Sequence, residues 1–94
     1  MFSLSVCLIV KNEEQVLGRC LECCKKFADE IVVVDTGSTD STIKIAKQFT
    51  DKIFQYQWDD NFSNARNFSF SKATKDYIMW LDADDFATDN NIEK

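Results

Sequence analysis

The sequence predicts an α/β domain built on a mainly parallel four-stranded sheet. Apolar runs of strand length alternate with longer segments of helical periodicity, the connections are short, and two of the runs are apolar almost throughout. Right-handed crossovers between parallel strands then place helices on both faces of the sheet. The predicted architecture is a Rossmann-like three-layer α/β/α sandwich, and the 94 residues suffice for one domain over residues 1–94.

The first half of the chain contains two predicted strands, each followed by a helix. Leu4–Val10 is a nearly continuous apolar run, and Asn12 is predicted to cap a helix that ends at about Lys26. Residues 31–34 form a second apolar strand that ends at Asp35. A turn-rich loop leads into a helix predicted over residues 41–49, with its inward residues at Ile43, Ala46 and Phe49.

The second half continues the alternation. Residues 53–58 alternate with period two, with Phe54, Tyr56 and Trp58 on one face, as in a half-exposed strand near a sheet edge. Asn61 is placed to cap a helix over residues 62–73, whose inward stripe is Phe62, Ala65, Ser69 and Ala73. The run 77–81 reads as a buried strand that stops at three carboxylates in four positions. Residues 86–94 are polar and predict at most a short helical turn.

Composition narrows the range of partners. The net charge of −5 and the pI of about 4.5 argue against binding the phosphate backbone of nucleic acids. The sequence has no apolar stretch long enough to span a membrane and no recognisable signal peptide, so we expect a cytoplasmic protein. Cys20 and Cys23 form a C-x-x-C pair without a second pair or any histidine to complete a zinc site. We expect reduced cysteines, with Cys20 and Cys24 packed in the core.

Polar residues follow three of the predicted strands. Glu13 comes after the first strand, Asp35 after the second, and Asp82 and Asp84 after the fourth. In parallel sheets ligands bind beyond the carboxyl ends of the strands, and carboxylates at i and i+2 of an extended chain converge on one point. Two such carboxylates suit a hard divalent cation, Mg²⁺ or Mn²⁺, which leaves positions open for phosphate oxygens. Arg66, in the preceding helix, is a candidate contact for phosphate or base.

Simpler or different interpretations of these motifs exist. The Asp82–Asp84 pair could be a polar strand end that caps a following helix, and Arg66 could form an exposed salt bridge. Asp35-Thr36-Gly37-Ser38 matches the active-site loop of dimeric aspartic proteases, but that fold is all-β and a helical pattern follows this loop. A calcium loop starting at Asp82 fails because Phe86 stands where an oxygen ligand is required.

Four motifs in the same order give the chain a resemblance to a known family. They are Lys11-Asn12-Glu13-Glu14, residues 31–40 with Asp35, Ala65-Arg66-Asn67 and Leu81-Asp82-Ala83-Asp84-Asp85. Together they resemble the N-terminal, nucleotide-binding half of family 2 glycosyltransferases. The run from Trp58 to Asn67 is similar to the bacterial branch that includes lipopolysaccharide-core glucosyltransferases.

The resemblance implies a partial GT-A fold that binds a nucleotide-diphospho-sugar, with a UDP-sugar favoured, for inverting glycosyl transfer. It implies that Asp35 holds the base, with Glu13 lining the same pocket, and that Arg66 contacts the nucleotide. It further implies that Asp82 contacts ribose or metal and that Asp84 binds the Mn²⁺ or Mg²⁺ that bridges the diphosphate. Lys11 and the single acid at the end of the second strand depart from the family pattern.

The acceptor half of the family, with its catalytic base, lies beyond the acidic motif, so the sequence predicts a subdomain truncated before that half and inactive alone. The alternative is a non-catalytic nucleotide-binding or assembly module. Because the final strand would normally be flanked by further elements, we also expect a homodimer or a domain-swapped form through its exposed edge.

Overall fold

The computed structural model describes residues 3–82, except the side chain of Asp82, and the predicted segment 86–94 and Asp84 lie outside them. The described chain alternates strictly between strands and helices, as the sequence predicted. The elements are β1 Leu4–Val10, α1 Leu17–Lys25, β2 Glu30–Asp35, α2 Thr42–Ala46, β3 Ile53–Gln55, α3 Phe62–Lys72 and β4 Tyr77–Asp82. This α/β architecture excludes the all-β aspartic protease fold.

The four strands form one parallel sheet in the order β3-β2-β1-β4. β2 and β3 are added on one side of β1, and the chain then crosses back through α3 to place β4 on the other side. The order therefore reverses between β1 and β4, which is the kind of position where open α/β sheets bind ligands. Val10 is paired with Asp35 and Ile9 with Asp82. Both acids therefore lie at the carboxyl ends of their strands, which we call the carboxyl edge of the sheet, on either side of β1.

Each face of the sheet has its own apolar core, which confirms the three-layer arrangement. Alternate residues of β1 point to opposite sides, so Leu8 packs against α1 and α2 while Cys7 packs against α3. The larger core contains Val6, Leu8, Val10, Leu17, Cys20, Leu21, Cys24, Ile31, Val33 and Ala46. The smaller one contains Cys7, Val32 and Val34, with aromatic residues of β3, α3 and β4 packed around them.

The first two helices are shorter than the sequence predicted. α1 begins at Leu17 rather than just after Asn12, because Asn12 adopts a left-handed conformation (φ 53°) that starts a loop instead of capping a helix. α2 covers only Thr42–Ala46. Ala46 is buried and Phe49 packs against the core as predicted, but the neighbouring core isoleucine is Ile45, and Ile43 lines an open cleft beside β3.

The second half of the chain contains one confirmed helix start and two corrections. Asn61 caps α3, because its side-chain oxygen accepts a hydrogen bond from the backbone N–H of Asn64 at 3.1 Å. β3 is the predicted edge strand, but it ends at Gln55, since the chain leaves the sheet before Trp58. The prediction of a buried β4 was wrong for the described residues: it is the other edge strand, with Tyr77, Ile78 and Met79 exposed by 54%, 44% and 39%.

A buried glutamate joins the amino-terminal ends of the four strands. Glu30 is 7% exposed and its carboxylate accepts hydrogen bonds from the Ser5 hydroxyl (2.6 Å), the Thr74 backbone N–H (2.8 Å) and the Thr74 hydroxyl (2.9 Å). Lys52, just before β3, forms an ion pair with it. Burial alone would raise the pKa of Glu30, but the hydrogen bonds from Lys52, Ser5 and Thr74 outweigh burial and lower the pKa to about 2.

The cysteines behave as the sequence predicted. All four are free thiols, and Cys20 and Cys24 are fully buried on the core face of α1. Burial raises the pKa of the Cys7 thiol, which leaves this residue a packing group under α3. Among residues 3–82, no helix has the length and apolar character needed to cross a membrane.

Candidate functional site

Asp35 is a buried carboxylate at the carboxyl end of β2. It is 2% exposed, and its Oδ2 accepts hydrogen bonds from the backbone N–H groups of Gly37 (3.1 Å) and Ser38 (3.0 Å). Its Oδ1 is equally inaccessible but has no hydrogen-bond partner. A buried acceptor without a donor costs on the order of 1–3 kcal/mol, so an N–H or O–H group that reached this oxygen would stabilise it.

A cleft of about 320 Å³ adjoins this carboxylate. Its lining comes from two segments, residues 35–38 after β2 and residues 55–58 at the end of β3. The volume is at the lower end of small-molecule sites, which span roughly 300–1,000 Å³. A somewhat larger cleft, of about 360 Å³, lies beside Ile43 and Lys47, but neither residue carries a buried polar atom without a partner. The Asp35 cleft is therefore the better candidate for a ligand.

The loop after β1 is hydrogen-bonded to the loop that follows Asp35. The backbone N–H of Asn12 donates to the Ser38 hydroxyl at 2.8 Å, and the Asn12 side-chain oxygen accepts from the Thr39 backbone N–H at 2.8 Å. The Glu13 backbone N–H donates to the Thr42 hydroxyl, also at 2.8 Å. The left-handed turn at Asn12 thus has a local purpose, because it turns the backbone and the side chain of one residue toward the same neighbouring loop.

Glu13 does not line the cleft of Asp35. It is half-buried and lies in a separate cleft of about 240 Å³ that also contains Asp40. Asp40 accepts hydrogen bonds from the Thr42 backbone N–H (2.9 Å) and hydroxyl and from the Glu14 backbone N–H (3.4 Å). Partial burial would raise the pKa of Asp40, but these hydrogen bonds outweigh it and hold the pKa below its ordinary value. The carboxylate therefore stays charged and keeps the two loops together.

Asp82 ends β4 beside Ile9 of β1, and Asp35 ends β2 on the other side of β1. Its backbone position at the carboxyl edge is consistent with the predicted metal site, and carboxylate oxygens are the donors that Mg²⁺ and Mn²⁺ prefer. The described side chains contain no group of three or more acids, cysteines or histidines able to hold a metal ion. The two predicted ligands of such an ion are Asp82 and Asp84. The side chains of both lie outside the part of the chain that the structure describes.

Arg66 lies against β4 rather than in the cleft. Its guanidinium carbon is 5.9 Å from the ring centroid of Trp80, which is two residues before Asp82 on the same strand. Trp80 in turn contacts Phe62 edge to face, with centroids 5.3 Å apart, and Phe62 contacts Trp58 at 6.4 Å. An unbroken series of ring contacts therefore runs from the acidic strand to the cleft of Asp35.

The sequence analysis missed the part of the cleft that residues 55–58 contribute. The alternation of aromatic residues from Phe54 to Trp58 indicated a single strand face, but the strand ends at Gln55 and the following rings belong to a loop. No sequence signal marks the end of the strand at Gln55, because the aromatic alternation continues through it to Trp58 and the polar run begins only afterwards.

The chain matches the sequence profile of "Glycosyl transferase family 2" over residues 5–94. It is 45% identical over 85 residues to a TPR repeat-containing protein of Synechococcus elongatus, covering 90% of this chain and 21% of that protein. It is 38% identical over 89 residues to the prophage-derived glycosyltransferase SunS of Bacillus subtilis, covering 93% of this chain and 21% of that protein. The chain thus spans about a fifth of the length of these relatives.

Solved structures show the same fold. Glucosyl-3-phosphoglycerate synthase from Mycobacterium tuberculosis superposes with a TM-score of 0.75 at 22% sequence identity, over 87% of this chain and 33% of that one. That enzyme has been crystallised with Mn²⁺ and UDP-glucose, and also with Mg²⁺ and UDP. At this level of identity the similarity establishes the Rossmann-like GT-A fold, and it leaves the roles of individual residues to the geometry described above.

Proposed function

Because the chain belongs to glycosyl transferase family 2, we propose that it binds the nucleotide-diphospho-sugar donor of an inverting glycosyl transfer, with a UDP-sugar favoured. One observation carries the proposal. The buried Asp35 has an oxygen without a hydrogen-bond donor, lines a cleft, and shares the carboxyl edge of the sheet with Asp82. The relatives that bind UDP and a divalent cation support this choice of ligand.

Asp35 is proposed to receive the base. Its Oδ2 already accepts two backbone N–H groups, so only Oδ1 remains for a ligand. A single free acceptor matches the single ring N–H of uracil, whereas guanine presents two adjacent donors that suit a carboxylate with both oxygens free. The hydrogen bonds from Gly37 and Ser38 fix the carboxylate in position before the ligand arrives, which reduces the entropy lost on binding.

The acids at the end of β4 are proposed to hold the metal. The chain has a net charge of −5, so a diphosphate approaching this edge needs a cation to offset the repulsion. Asp82 and Asp84 would supply carboxylate oxygens to Mn²⁺ or Mg²⁺, and the bound ion would stabilise the negative charge of the departing nucleoside diphosphate. Glu13 and Arg66 are assigned supporting roles, Glu13 through the loop beside Asp35 and Arg66 as a cation next to Trp80.

The proposal concerns binding of the donor, in a single subdomain over residues 1–94. It assigns no catalytic base to the described residues and predicts no sugar transfer by these residues alone. A non-catalytic nucleotide-binding module would use the same cleft and the same acids. It would differ from a glycosyltransferase in having no acceptor site and no catalytic base. The cytoplasmic location and the lipopolysaccharide-core branch stay predictions from the sequence.

Calorimetric titration of UDP into the protein with Mn²⁺ tests the metal site. We expect Mn²⁺ to strengthen UDP binding, and Asp82→Asn to weaken the Mn²⁺-dependent binding by at least about tenfold, since the variant removes one anionic ligand. Asp76→Asn is the matched control, because Asp76 is an exposed acid that immediately precedes the amino-terminal end of β4, and asparagine keeps an acceptor for Ser3. UDP binding that is equally strong with EDTA, or unchanged in Asp82→Asn, would contradict the proposal.

We also propose that two copies associate through β4. In the described chain β4 pairs with β1 on one side only, and three successive apolar residues, Tyr77 to Met79, are exposed on it. An edge strand of this kind can add to the same strand of a second copy around a two-fold axis. Sedimentation at tens of micromolar should show a dimer that Met79→Lys dissociates and that Gln48→Lys, a charge-matched change on another exposed site, leaves intact. A monomer throughout would refute the association.

A further inference from the structure

The segment from Tyr56 to Phe62 contributes to the lining of the Asp35 cleft, but none of its side chains has yet been given an individual role. We propose that Trp58 supplies the face on which the nucleobase stacks, and that Asp60 and Phe62 hold its indole in position for this. The inference rests on the proposed nucleotide function and specifies how the same cleft recognises its ligand. It concerns a flat aromatic base, as distinct from the sugar or the phosphates.

The first support is the position of the ring. Trp58 lines the cleft of Asp35 and is 41% exposed, although a large apolar side chain gains free energy when it is covered. The cleft therefore has an aromatic surface for the face of a nucleobase, next to the carboxylate whose Oδ1 has no hydrogen-bond partner. Stacking of a base on such a side chain contributes about 1–3 kcal/mol.

The second support is that the indole is fixed from two sides. Its Nε1–H donates to Asp60 Oδ1 at 3.1 Å, and its ring meets Phe62 at an interplanar angle of 63°. Asp60 has the left-handed φ of 60°, which brings its side chain back toward the tryptophan two residues earlier. Because the polar N–H is already bonded, what the indole can still offer a ligand is apolar surface.

The third support is that the whole segment is ordered by hydrogen bonds. Asp59 accepts from the Tyr56 hydroxyl at 2.9 Å, from the Asn64 side chain at 3.2 Å and from the Asn61 backbone N–H at 3.2 Å. The hydrogen bonds from Tyr56 and Asn64 lower the pKa of Asp59, so the carboxylate stays ionised and keeps the loop tied to α3. Tyr56 also packs on Phe68 of α3, with ring centroids 5.0 Å apart. A preorganised aromatic wall binds a ligand at a lower entropic cost than a mobile one.

Tryptophan fluorescence provides a direct test. The chain has two tryptophans, so Trp80→Phe leaves Trp58 as the sole indole while keeping an aromatic ring on β4. With Mg²⁺ present, UDP should quench this fluorescence saturably, and pyrophosphate should not, because it lacks a base. Trp80→Phe is the parent for two further variants, whose UDP affinity is measured by calorimetry. Trp58→Leu should weaken UDP binding by about tenfold, and the affinity of Trp58→Tyr should stay within about threefold of that of the parent. Pyrophosphate binding should be the same in all three proteins.

The outcomes separate this inference from the proposed function. If the parent binds UDP but Trp58→Leu binds it equally well, or if pyrophosphate quenches as UDP does, Trp58 does not stack on the base and the inference is wrong. If the parent binds no UDP with either metal, the nucleotide function itself fails, and the stacking role fails with it. The quenching experiment leaves Trp58 intact, so it remains decisive even if the leucine variant folds poorly.

Discussion

Asp35→Asn is expected to weaken UDP binding by about 10- to 100-fold without unfolding the protein. The asparagine oxygen can still accept the backbone N–H groups of Gly37 and Ser38, so the loop keeps its conformation. Its amide nitrogen then takes the position of Oδ1, and a donor faces the N–H of uracil where an acceptor stood before. Calorimetry with Mn²⁺ measures the affinity.

The same variant should shift the preference among bases. Cytosine has an acceptor at the ring position where uracil has its N–H, so the ratio of CDP to UDP affinity should rise in Asp35→Asn. Asp51→Asn makes the same chemical change at an exposed residue just before the amino-terminal end of β3, and it should leave both affinities unchanged. Equal UDP binding by the parent and Asp35→Asn would show that this carboxylate supports only its own loop.

Replacing Glu30 should have the largest effect on stability. Glu30→Ala leaves the Ser5 hydroxyl and both Thr74 donors without their acceptor, and we expect a loss of about 3 kcal/mol in the free energy of unfolding. Lys52 is 43% exposed at its side chain, so water can solvate the ammonium group and the loss stays below that of a fully buried pair. Glu30→Gln, which retains an acceptor, should lose about 2 kcal/mol. Urea unfolding measures both.

The stabilising effect of Glu30 should also depend on pH. The folded-state pKa of about 2 lies below the ordinary value of 4.5, so the carboxylate favours the folded state fully above pH 4.5 and progressively less as the pH falls toward 2. The integrated contribution is roughly 3 kcal/mol at 1.36 kcal/mol per pH unit. The difference in unfolding free energy between the parent and Glu30→Gln, about 2 kcal/mol near neutral pH, should therefore fall to about zero before pH 2 is reached.

The control for both measurements is Glu22→Gln, a neutralised glutamate on the exposed face of α1. A surface change of this kind should stay within about 0.5 kcal/mol of the parent and should not flatten the acid limb of the stability curve. If Glu30→Gln were no less stable than Glu22→Gln, the hydrogen bonds around Glu30 would contribute nothing net to folding.

The fold could be predicted because its signals are local and periodic. The apolar runs at Leu4–Val10 and residues 31–34 specify strands covered on both faces, and the alternation with helices leaves a parallel sheet as the consistent arrangement. Helix starts were harder, because an asparagine can serve equally as a cap or as a left-handed turn. Asn61 does the first and Asn12 the second, and the difference lies in the partner loop, which is distant in sequence.

The candidate site, like the fold, could be predicted from the sequence only in part. That Asp35 and Asp82 share an edge follows from parallel strands of known direction, and the register bears this out. The contribution of Trp58 depends on where β3 ends, and the separation of Glu13 from the Asp35 cleft depends on loop packing. The network of Glu30 was invisible in the sequence, because Ser5, Lys52 and Thr74 meet only after the strands have assembled.

The position of that glutamate has an evolutionary implication. β1 is seven residues long, which separates the two edges of the sheet by roughly 20 Å. The hydrogen-bond network of Glu30 at one end is thus distant from the loops at the other end, where the proposed ligand cleft lies. Substitutions at the proposed ligand contacts, Trp58 and Asp35, are therefore expected to alter binding during evolution while the hydrogen bonds around Glu30 are retained.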